Sequence, residues 1–206
     1  MNSVRLFRRV AVFCGSSNRA RPKYFDAARA VGQALAARGI EVVYGGGHVG
    51  LMGAVADAAL GAGGKVIGVI PEKLLALEVG HTGLTELHIV PGMHPRKALM
   101  AELSDAFIAL PGGMGTLDEV FEAATWTQLE YQAKPVGLLN IGGFFDGLLA
   151  FLNHSTAEGF MRPETRQIIQ DDETLDGLLA KLERVELPSL PDGASLRAIV
   201  GAGQAS

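Results

Sequence analysis

Three segments of this chain run from a short apolar stretch straight into a glycine-rich turn and then into a helical pattern. The turns are residues 14–17, 45–50 and 111–116, which we call the first, second and third glycine turns. Short apolar runs that alternate with longer helical patterns are typical of βαβ units around a parallel sheet. The sequence therefore predicts an α/β fold, a Rossmann-like open parallel sheet with helices on both faces.

Apolar runs rich in β-branched residues predict the strands, and the longer patterns between them predict the helices. The predicted strands are 9–13, 41–44, 65–70, 86–90, 106–110 and 136–139, with a seventh near 167–170. The predicted helices are 22–38, 51–62, 96–103, 116–130, 144–158 and 174–184. We expect one domain over residues 1–206, with 188–206 as a loose tail because that stretch has no clear hydrophobic period.

Composition excludes several classes of partner. The chain has a formal net charge of −4 and lacks the basic footprint of a nucleic-acid binder. Every long apolar window is broken by glycine or charge before the roughly 20 residues that a membrane crossing needs. The single cysteine, Cys14, cannot form an intramolecular disulfide and fits a reducing compartment, so we expect a cytoplasmic protein.

The third glycine turn has the composition of a phosphate site. A helix that begins after a buried strand leaves its first backbone N–H groups unpaired and presents the positive end of its dipole, and glycines let an anion approach that backbone. Asp118 and Glu119 follow the turn directly, so a phosphate would lie beside a carboxylate. The turn lacks the lysine that a triphosphate-binding P-loop carries after its last glycine, which argues against an NTPase.

The second glycine turn supports a competing hypothesis. Gly45, Gly47 and Gly50 match the letters of the dinucleotide-binding fingerprint, and Glu72 stands 22 residues after Gly50. An NAD(P) oxidoreductase is therefore an alternative, although such enzymes ordinarily carry this fingerprint at the first strand. A purely structural role, in which the glycines only allow tight packing of strand against helix, is the other alternative.

Charged residues near helix starts are the candidate reactive groups. Glu119 is expected in the first turn of the helix near Thr116, where the dipole favours a carboxylate. Arg96 and Lys97 also begin a helix, where two cations oppose the dipole, so we expect an anionic ligand or a carboxylate to compensate them. Glu78 is either another ligand contact or a surface acid.

Several motifs together resemble one known family. Residues 111–119 are similar to the Pro-Gly-Gly-x-Gly-Thr-x-x-Glu signature of the LONELY GUY proteins, cytokinin riboside 5′-monophosphate phosphoribohydrolases that were long mislabelled as lysine decarboxylases. Segments 14–16, 45–53, 93–97 and 125–129 fall in the family's order and spacing, so the resemblance extends over residues 9–183. It implies cleavage of the N-glycosidic bond of AMP, or of its N6-substituted cytokinin relative, to free base and ribose 5-phosphate.

The resemblance also implies which residues form the site, with Arg96 and Glu119 as the catalytic pair. The substrate-binding positions expected from the resemblance and from the glycine turns are Ser16, Gly46, Glu78, Lys97, Gly112, Gly113, Met114, Gly115, Thr116, Leu117, Asp118 and Thr125. An aromatic residue is frequent in the family where this chain has Met114, and plant members usually have Glu where it has Asp118, which leaves the preferred base open. We expect no metal and no cofactor.

The chemistry can also be argued from the residues alone. Breaking a ribose N-glycoside builds oxocarbenium-like charge on the sugar, which the carboxylate of Glu119 can stabilise while it helps to activate water. Arg96 could orient Glu119 or hold the sugar and phosphate. Two other classes remain open: the NAD(P) oxidoreductase, and a non-catalytic nucleotide or molybdopterin-carrier-type binding module. The paired presence of Arg96 and Glu119 favours the enzyme.

The predicted helix 116–130 carries more apolar and aromatic residues near the site than a solvated helix needs. We therefore expect a partner subunit to cover part of it, in a homodimer or a larger even-numbered homo-oligomer, which the family resemblance also implies. The alternative is that Trp126 and its neighbours bury entirely against their own sheet.

Overall fold

The computed structural model describes residues 5–77 and 80–188. Its strands are β1 (Arg9–Phe13), β2 (Glu41–Tyr44), β3 (Val66–Pro71), β4 (Glu86–Val90), β5 (Ala106–Ala109), β6 (Val136–Leu139) and β7 (Ile169–Asp172). Its helices are α1 (Pro22–Ala37), α2 (Gly50–Gly61), α3 (Glu72–Leu75), α4 (Met93–Leu103), α5 (Met114–Gln128), α6 (Asp146–Ala157), α7 (Pro163–Arg166) and α8 (Leu175–Arg184), with a short 3₁₀ helix at Ile141–Gly143. Glu78 and the tail after residue 188 lie outside the described residues.

The described strands form one parallel sheet in the order β4-β3-β2-β1-β5-β6-β7. The chain therefore builds outward from β1 in one direction and from β5 in the other. The predicted α/β fold with an open parallel sheet is confirmed. In such a sheet ligands bind beyond the carboxyl ends of the strands where the order reverses, here between β1 and β5. The first and third glycine turns follow these two strands.

Helices cover the sheet on both faces, as predicted. One buried cluster joins the sheet to α1, α2 and α8, and a second joins it to α4, α5 and α6. The central strands β1, β3 and β5 are buried almost throughout. This explains their nearly continuous apolar sequences, since both faces of each strand pack against helices. Among the described residues, no helix combines the length and the apolar character that a membrane crossing requires.

The structure corrects several predicted boundaries. α5 begins at Met114, so Glu119 lies in its second turn and gains less from the dipole than a first-turn acid would. The last strand begins two residues later than predicted, because the N–H groups of Gln167 and Ile168 donate to carbonyls of α7 and complete its turn. The sequence did not predict α3 and α7, because a helix of four residues is too short to show a hydrophobic period.

Candidate active site

A cavity of about 720 Å³ opens at the point where the strand order reverses. The first and third glycine turns form two of its walls, and the backbone N–H of Gly15 joins them by donating to the carbonyl of Pro111 at 3.1 Å. Arg96 from α4 and Glu119 from α5 also line the cavity. Elements from both halves of the sheet therefore meet at one site of the size that small-molecule ligands occupy.

Arg96 is buried and held by backbone. Its Nε donates to the carbonyl of Val69 at 3.2 Å, and its Nη2 donates to the carbonyl of Gly45 at 3.3 Å. The same Nη2 lies 3.8 Å from Oε1 of Glu119, an ion pair too long for a hydrogen bond. The guanidinium is therefore oriented by β3 and the second glycine turn, and it faces the Glu119 carboxylate across a short gap.

Glu119 is a buried carboxyl with a perturbed acidity. Burial raises its pKa to about 7, with Asp118 and Glu122 acting in the same direction and Arg96 and Lys97 opposing them. Within the described part of the chain, no hydrogen bond occupies its oxygens. A carboxyl with a pKa near neutrality can take up and release a proton at ordinary pH, as a general base requires.

Cys14 also lines the cavity but is not a reactive group. Burial raises the pKa of its thiol, and the neighbouring Glu119 carboxylate raises it further. The thiol therefore stays protonated at neutral pH, and a protonated thiol is a poor nucleophile. Glu119 is the side chain in this cavity whose pKa lies near neutrality.

The third glycine turn presents open backbone to the cavity. Gly113 is the N-cap of α5 and no side chain caps the helix, so its first N–H groups have no intrahelical partner. A Cβ atom built on Gly113 or on Gly115 would meet no atom within 4 Å, and both glycines line the cavity. The space that these missing side chains leave is available to a ligand, and the unpaired donors suit an anion.

The second glycine turn is filled by the protein itself. A Cβ on Gly45 would lie 2.0 Å from Nη2 of Arg96. Gly50 has φ +60°, and its Cβ would lie 2.4 Å from the backbone carbon of Ser16. Of the three fingerprint glycines, Gly45 lines the cavity, whereas Gly47 and Gly50 do not. Two of the three fingerprint glycines, Gly45 and Gly50, therefore allow close packing around Arg96 and the first turn, which supports the structural alternative.

The structure brings most, but not all, of the predicted site residues together. With Arg96 and Glu119, the cavity is lined by Ser16, Gly112, Gly113, Met114, Gly115 and Thr116. The predicted positions that do not line it are Gly46, Lys97, Leu117, Asp118 and Thr125. The predicted compensation of the two helix-start cations is confirmed in its carboxylate form: Arg96 faces Glu119, and Lys97 pairs with Asp118 and Glu122.

Sequence reasoning missed several side chains in the cavity, among them Arg19, Arg21, Tyr24 and Phe144. A signal for the arginines was present, because they directly precede α1, where cations oppose the helix dipole just as Arg96 does in α4. Tyr24 and Phe144 form an edge-to-face aromatic pair with ring centroids 5.6 Å apart. Because Tyr24 and Phe144 lie far apart in the chain, this contact could not be predicted from the sequence.

A second polar cluster lies in the second glycine turn and its surroundings. Asp57 accepts a hydrogen bond from Nε2 of His81 at 2.8 Å and lies 3.1 Å from Nε2 of His48. Among the described residues, these three side chains are close enough together to be considered as ligands of one metal ion. However, Nδ1 of His81 accepts the backbone N–H of Gly83, which places the imidazole proton on Nε2. A protonated Nε2 cannot bind a metal, so the cluster forms a hydrogen-bonded network.

The fold and the cavity define a class: an α/β protein with an open glycine turn at a helix start and a buried carboxylate–guanidinium pair at the switch point of a parallel sheet. Residues 52–182 match the family model described as "Possible lysine decarboxylase". With this match and the relatives that follow, the chain belongs to the LONELY GUY family.

Three relatives show the extent of the similarity. A probable cytokinin riboside 5′-monophosphate phosphoribohydrolase of Oryza sativa subsp. japonica is 51% identical over 93% of this chain and 77% of its own length. A cytokinin riboside 5′-monophosphate phosphoribohydrolase of the same organism is 50% identical over 86% of this chain and 72% of its own. One from Rhodococcoides fascians is 49% identical over 84% of this chain and 88% of its own.

Solved structures share the fold at lower identity. The molybdenum cofactor carrier protein of Chlamydomonas reinhardtii is 23% identical, with a TM-score of 0.63 over 84% of this chain and 93% of that protein. The molybdenum cofactor binding protein of Rippkaea orientalis is 23% identical, with a TM-score of 0.55 over 97% of this chain and 99% of that protein. At this identity the likeness concerns the fold alone.

Proposed function

We propose that this protein is a phosphoribohydrolase that hydrolyses the N-glycosidic bond of cytokinin riboside 5′-monophosphates and of AMP, releasing the free base and ribose 5-phosphate. The observation that carries the proposal is the position of the buried Arg96–Glu119 pair in the same cavity as the open third glycine turn. The names of relatives about half identical to this chain support the same reaction.

The third glycine turn binds the 5′-phosphate in this proposal. The backbone N–H groups at the start of α5 and the hydroxyl of Thr116 supply donors, and the open space at Gly113 and Gly115 admits the phosphate. The phosphate would bind at the start of α5, and Glu119 belongs to the same helix. Holding the phosphate therefore fixes the attached ribose relative to Glu119. Binding energy from a group remote from the scissile bond is thereby used for alignment.

Glu119 acts at the anomeric carbon. As the bond to the base lengthens, positive charge grows on the ribose, and the ionised carboxylate stabilises it. Water attacks the same carbon, Glu119 takes up its proton, and the base leaves with the bonding electron pair. A pKa of about 7 suits a group that must be ionised before the reaction and must accept a proton during it.

Arg96 keeps the carboxylate in place. Its carbonyl contacts with Val69 and Gly45 fix the planar fork, and a lysine could not reproduce that geometry. We expect Arg96→Lys to retain the charge and still to lose most turnover. If its KM rises while kcat is preserved, Arg96 anchors the substrate and takes no part in catalysis.

One incubation tests the proposal. The purified protein is mixed with AMP or with isopentenyladenosine monophosphate, and the free base is measured by chromatography. We expect base release from at least one of them, and Glu119→Gln should reduce it at least about a hundredfold while AMP still binds. Binding without base release would indicate a carrier, and stabilisation by NAD(P) well beyond that by AMP would indicate the oxidoreductase.

We extend the proposal to assembly and location. Met114, Phe121, Leu129 and Tyr131 expose apolar surface on or directly after α5, which supports an even-numbered homo-oligomer built on a homodimer. Trp126 is only partly buried against its own sheet. Light scattering at micromolar concentration tests this, since a fully active monomer would refute it. The unpaired Cys14 supports a cytoplasmic location, which cell fractionation tests.

A further inference from the structure

His81 is a buried histidine that does not line the cavity. It precedes β4, and both of its ring nitrogens are engaged. Nε2 donates to Oδ1 of Asp57 on α2 at 2.8 Å, and Nδ1 accepts the backbone N–H of Gly83 at 3.0 Å. These two hydrogen bonds fix the orientation and the tautomer of the ring. The imidazole therefore ties the segment before β4 to α2.

The backbone around His81 is attached to the second glycine turn. The N–H of His81 donates to the carbonyl of Gly46 at 3.2 Å, and Gly80 forms an isolated antiparallel bridge with Gly47. Because α2 begins at the end of this turn, the hydrogen bond to Asp57 attaches the same segment to the helix that follows the turn. The segment is thus bound both to the turn and to the helix after it.

Gly46 lies next to both carbonyl groups that hold Arg96. Gly45, which precedes it, accepts from Nη2 of Arg96 at 3.3 Å. The carbonyl of Val69 accepts from Nε of Arg96, and a Cβ built on Gly46 would lie 3.4 Å from the backbone nitrogen of Val69. Consecutive glycines give a turn more conformational freedom than other residues would, so its shape depends on contacts from neighbouring segments.

We infer that Asp57 and His81 are positioning residues, whose hydrogen bond and the bond from His81 to Gly46 form a clamp that holds the second glycine turn in the shape that orients Arg96. The inference rests on the proposed function for its catalytic consequence. Neither side chain lines the cavity, so both act through Arg96. A hydrogen bond from a buried imidazole to a carboxylate is stronger than one between neutral groups, which suits this task.

The carboxylate of Asp57 stays charged in this clamp. Burial raises its pKa, but the hydrogen bonds from His81 and His48 outweigh that effect and lower it overall. His48 lies on the exposed side, with half of its side chain accessible, and its ring centroid lies 4.4 Å from that of His81. Because an exposed partner contributes little, we expect His48 to matter less than His81.

The first test compares Asp57→Ala and His81→Ala with the wild type in AMP hydrolysis at pH 8. We expect kcat to fall about tenfold in both, because a displaced Arg96 no longer orients Glu119. KM for AMP should stay within about twofold, since the third glycine turn is unaltered. His48→Ala should lower kcat less than about threefold. The control is His154→Ala, at an exposed histidine of α6. An unchanged kcat in Asp57→Ala would overturn the inference.

Two milder variants of His81 isolate the hydrogen bond to Asp57. The side-chain amide of His81→Gln can donate near the position of Nε2, whereas the shorter amide of His81→Asn lies near the position of Nδ1. We expect His81→Gln to keep kcat within about threefold of the wild type and His81→Asn to lose about tenfold. Equal losses in the two variants would contradict the role of the bond to Asp57.

A double-mutant cycle shows whether the clamp acts through Arg96. Asp57→Ala should lower kcat about tenfold in the wild-type background but less than about twofold in Arg96→Lys, where the orientation of the guanidinium is already lost. Equal fold losses in the two backgrounds would overturn the inference in favour of a general structural role.

A further measurement separates this inference from the proposed reaction. The Glu119 carboxyl can be titrated by NMR in the resting protein labelled at glutamate side chains, with Glu119→Gln to assign the signal. Arg96 lowers the pKa of Glu119, so the midpoint should rise in Asp57→Ala if the guanidinium moves away. A rise supports the clamp even if no nucleotide is hydrolysed, and an unchanged midpoint overturns it even if AMP is cleaved. His81→Asn provides the same readout if Asp57→Ala folds poorly.

Discussion

The second and third glycine turns look alike in sequence but differ in what occupies the space of the missing side chains. At Gly45 and Gly50 that space holds protein atoms, namely the Arg96 guanidinium and the backbone of Ser16. At Gly113 and Gly115 it is open to the cavity. Protein atoms thus require glycine at Gly45 and Gly50, as they also do at Gly112 in the third turn, whereas Gly113 and Gly115 leave space open to the cavity.

This difference separates two kinds of glycine motif that a pattern search treats as one. The second turn matches the dinucleotide fingerprint, yet its contribution to the site is to hold Arg96. The carbonyl of Gly45 accepts a hydrogen bond from Arg96, and the guanidinium occupies the space that a Gly45 side chain would fill. The third turn lacks that fingerprint and nevertheless provides the open helix start where an anion is expected. Substitutions that add one methyl group to either turn should therefore have different consequences.

The largest expected effect is on folding, at Gly50. Alanine there must adopt φ near +60° and place its Cβ against the backbone of Ser16, so we expect Gly50→Ala to lower the free energy of unfolding by about 3 kcal/mol. Urea unfolding measures the loss. Gly61→Ala is the matched control, since a Cβ at Gly61 meets no atom within 4 Å. Equal stability of the two variants would show that the second turn is not crowded.

Gly45→Ala should act on catalysis. Its methyl group would occupy the position of Arg96 Nη2, so the guanidinium must move away from the Gly45 carbonyl and from Glu119. We expect kcat for AMP to fall about a hundredfold, as for the loss of an oriented charged group. Steady-state kinetics provide the measurement. Turnover close to that of the wild type would mean that the position of Arg96 is not needed.

Gly113→Ala should act on binding. Because its Cβ would point into open space, the free energy of unfolding should change by less than about 0.5 kcal/mol. The methyl group would obstruct the phosphate, so we expect KM for AMP to rise about tenfold. Wild-type protein should cleave AMP with a far higher kcat/KM than adenosine, and Gly113→Ala should reduce the ratio of these two values. Equal efficiency on both substrates in the wild type would contradict a phosphate site in the third turn.

The last expected effect concerns pH, and it tests whether the helix after the third turn buries an acid. The pKa of Glu119 is about 7 in the folded protein against an ordinary 4.5, so the folded state holds a proton that the unfolded chain releases between these values. Between pH 4.5 and about 7, this contribution lowers the free energy of unfolding by about 1 kcal/mol for each unit that the pH rises. Chemical unfolding at several pH values should show a flatter dependence in Glu119→Gln, and identical slopes would contradict the burial.

Much of the architecture could be predicted because its signals are local. Continuous apolar runs identify strands buried on both faces, and glycine turns after β1 and β5 necessarily lie at the carboxyl edge of a parallel sheet. The two cations at the start of α4 were a sound indication of nearby carboxylates. These inferences depend on periodicity and charge, which the sequence states directly.

Other features depend on distances that no sequence pattern contains. The fingerprint letters of the second turn do not say that Arg96 fills the space at Gly45. The ion pairs of Lys97 with Asp118 and Glu122 join residues of α4 and α5 that lie far apart in the chain. The meeting of Tyr24 with Phe144 is likewise a product of tertiary packing. The predicted Glu78 contact remains a prediction.

The unpaired main-chain donors at the start of α5 have a consequence for inhibitor design. A compound that relies on a phosphate mimic would contact backbone and glycine, so it would have little basis for distinguishing one bearer of this signature from another. Selectivity would have to come from groups that reach the side chains lining the rest of the cavity, such as Tyr24, Phe144 and Met114. Under the proposed function, the same division would allow base preference to vary without weakening phosphate binding.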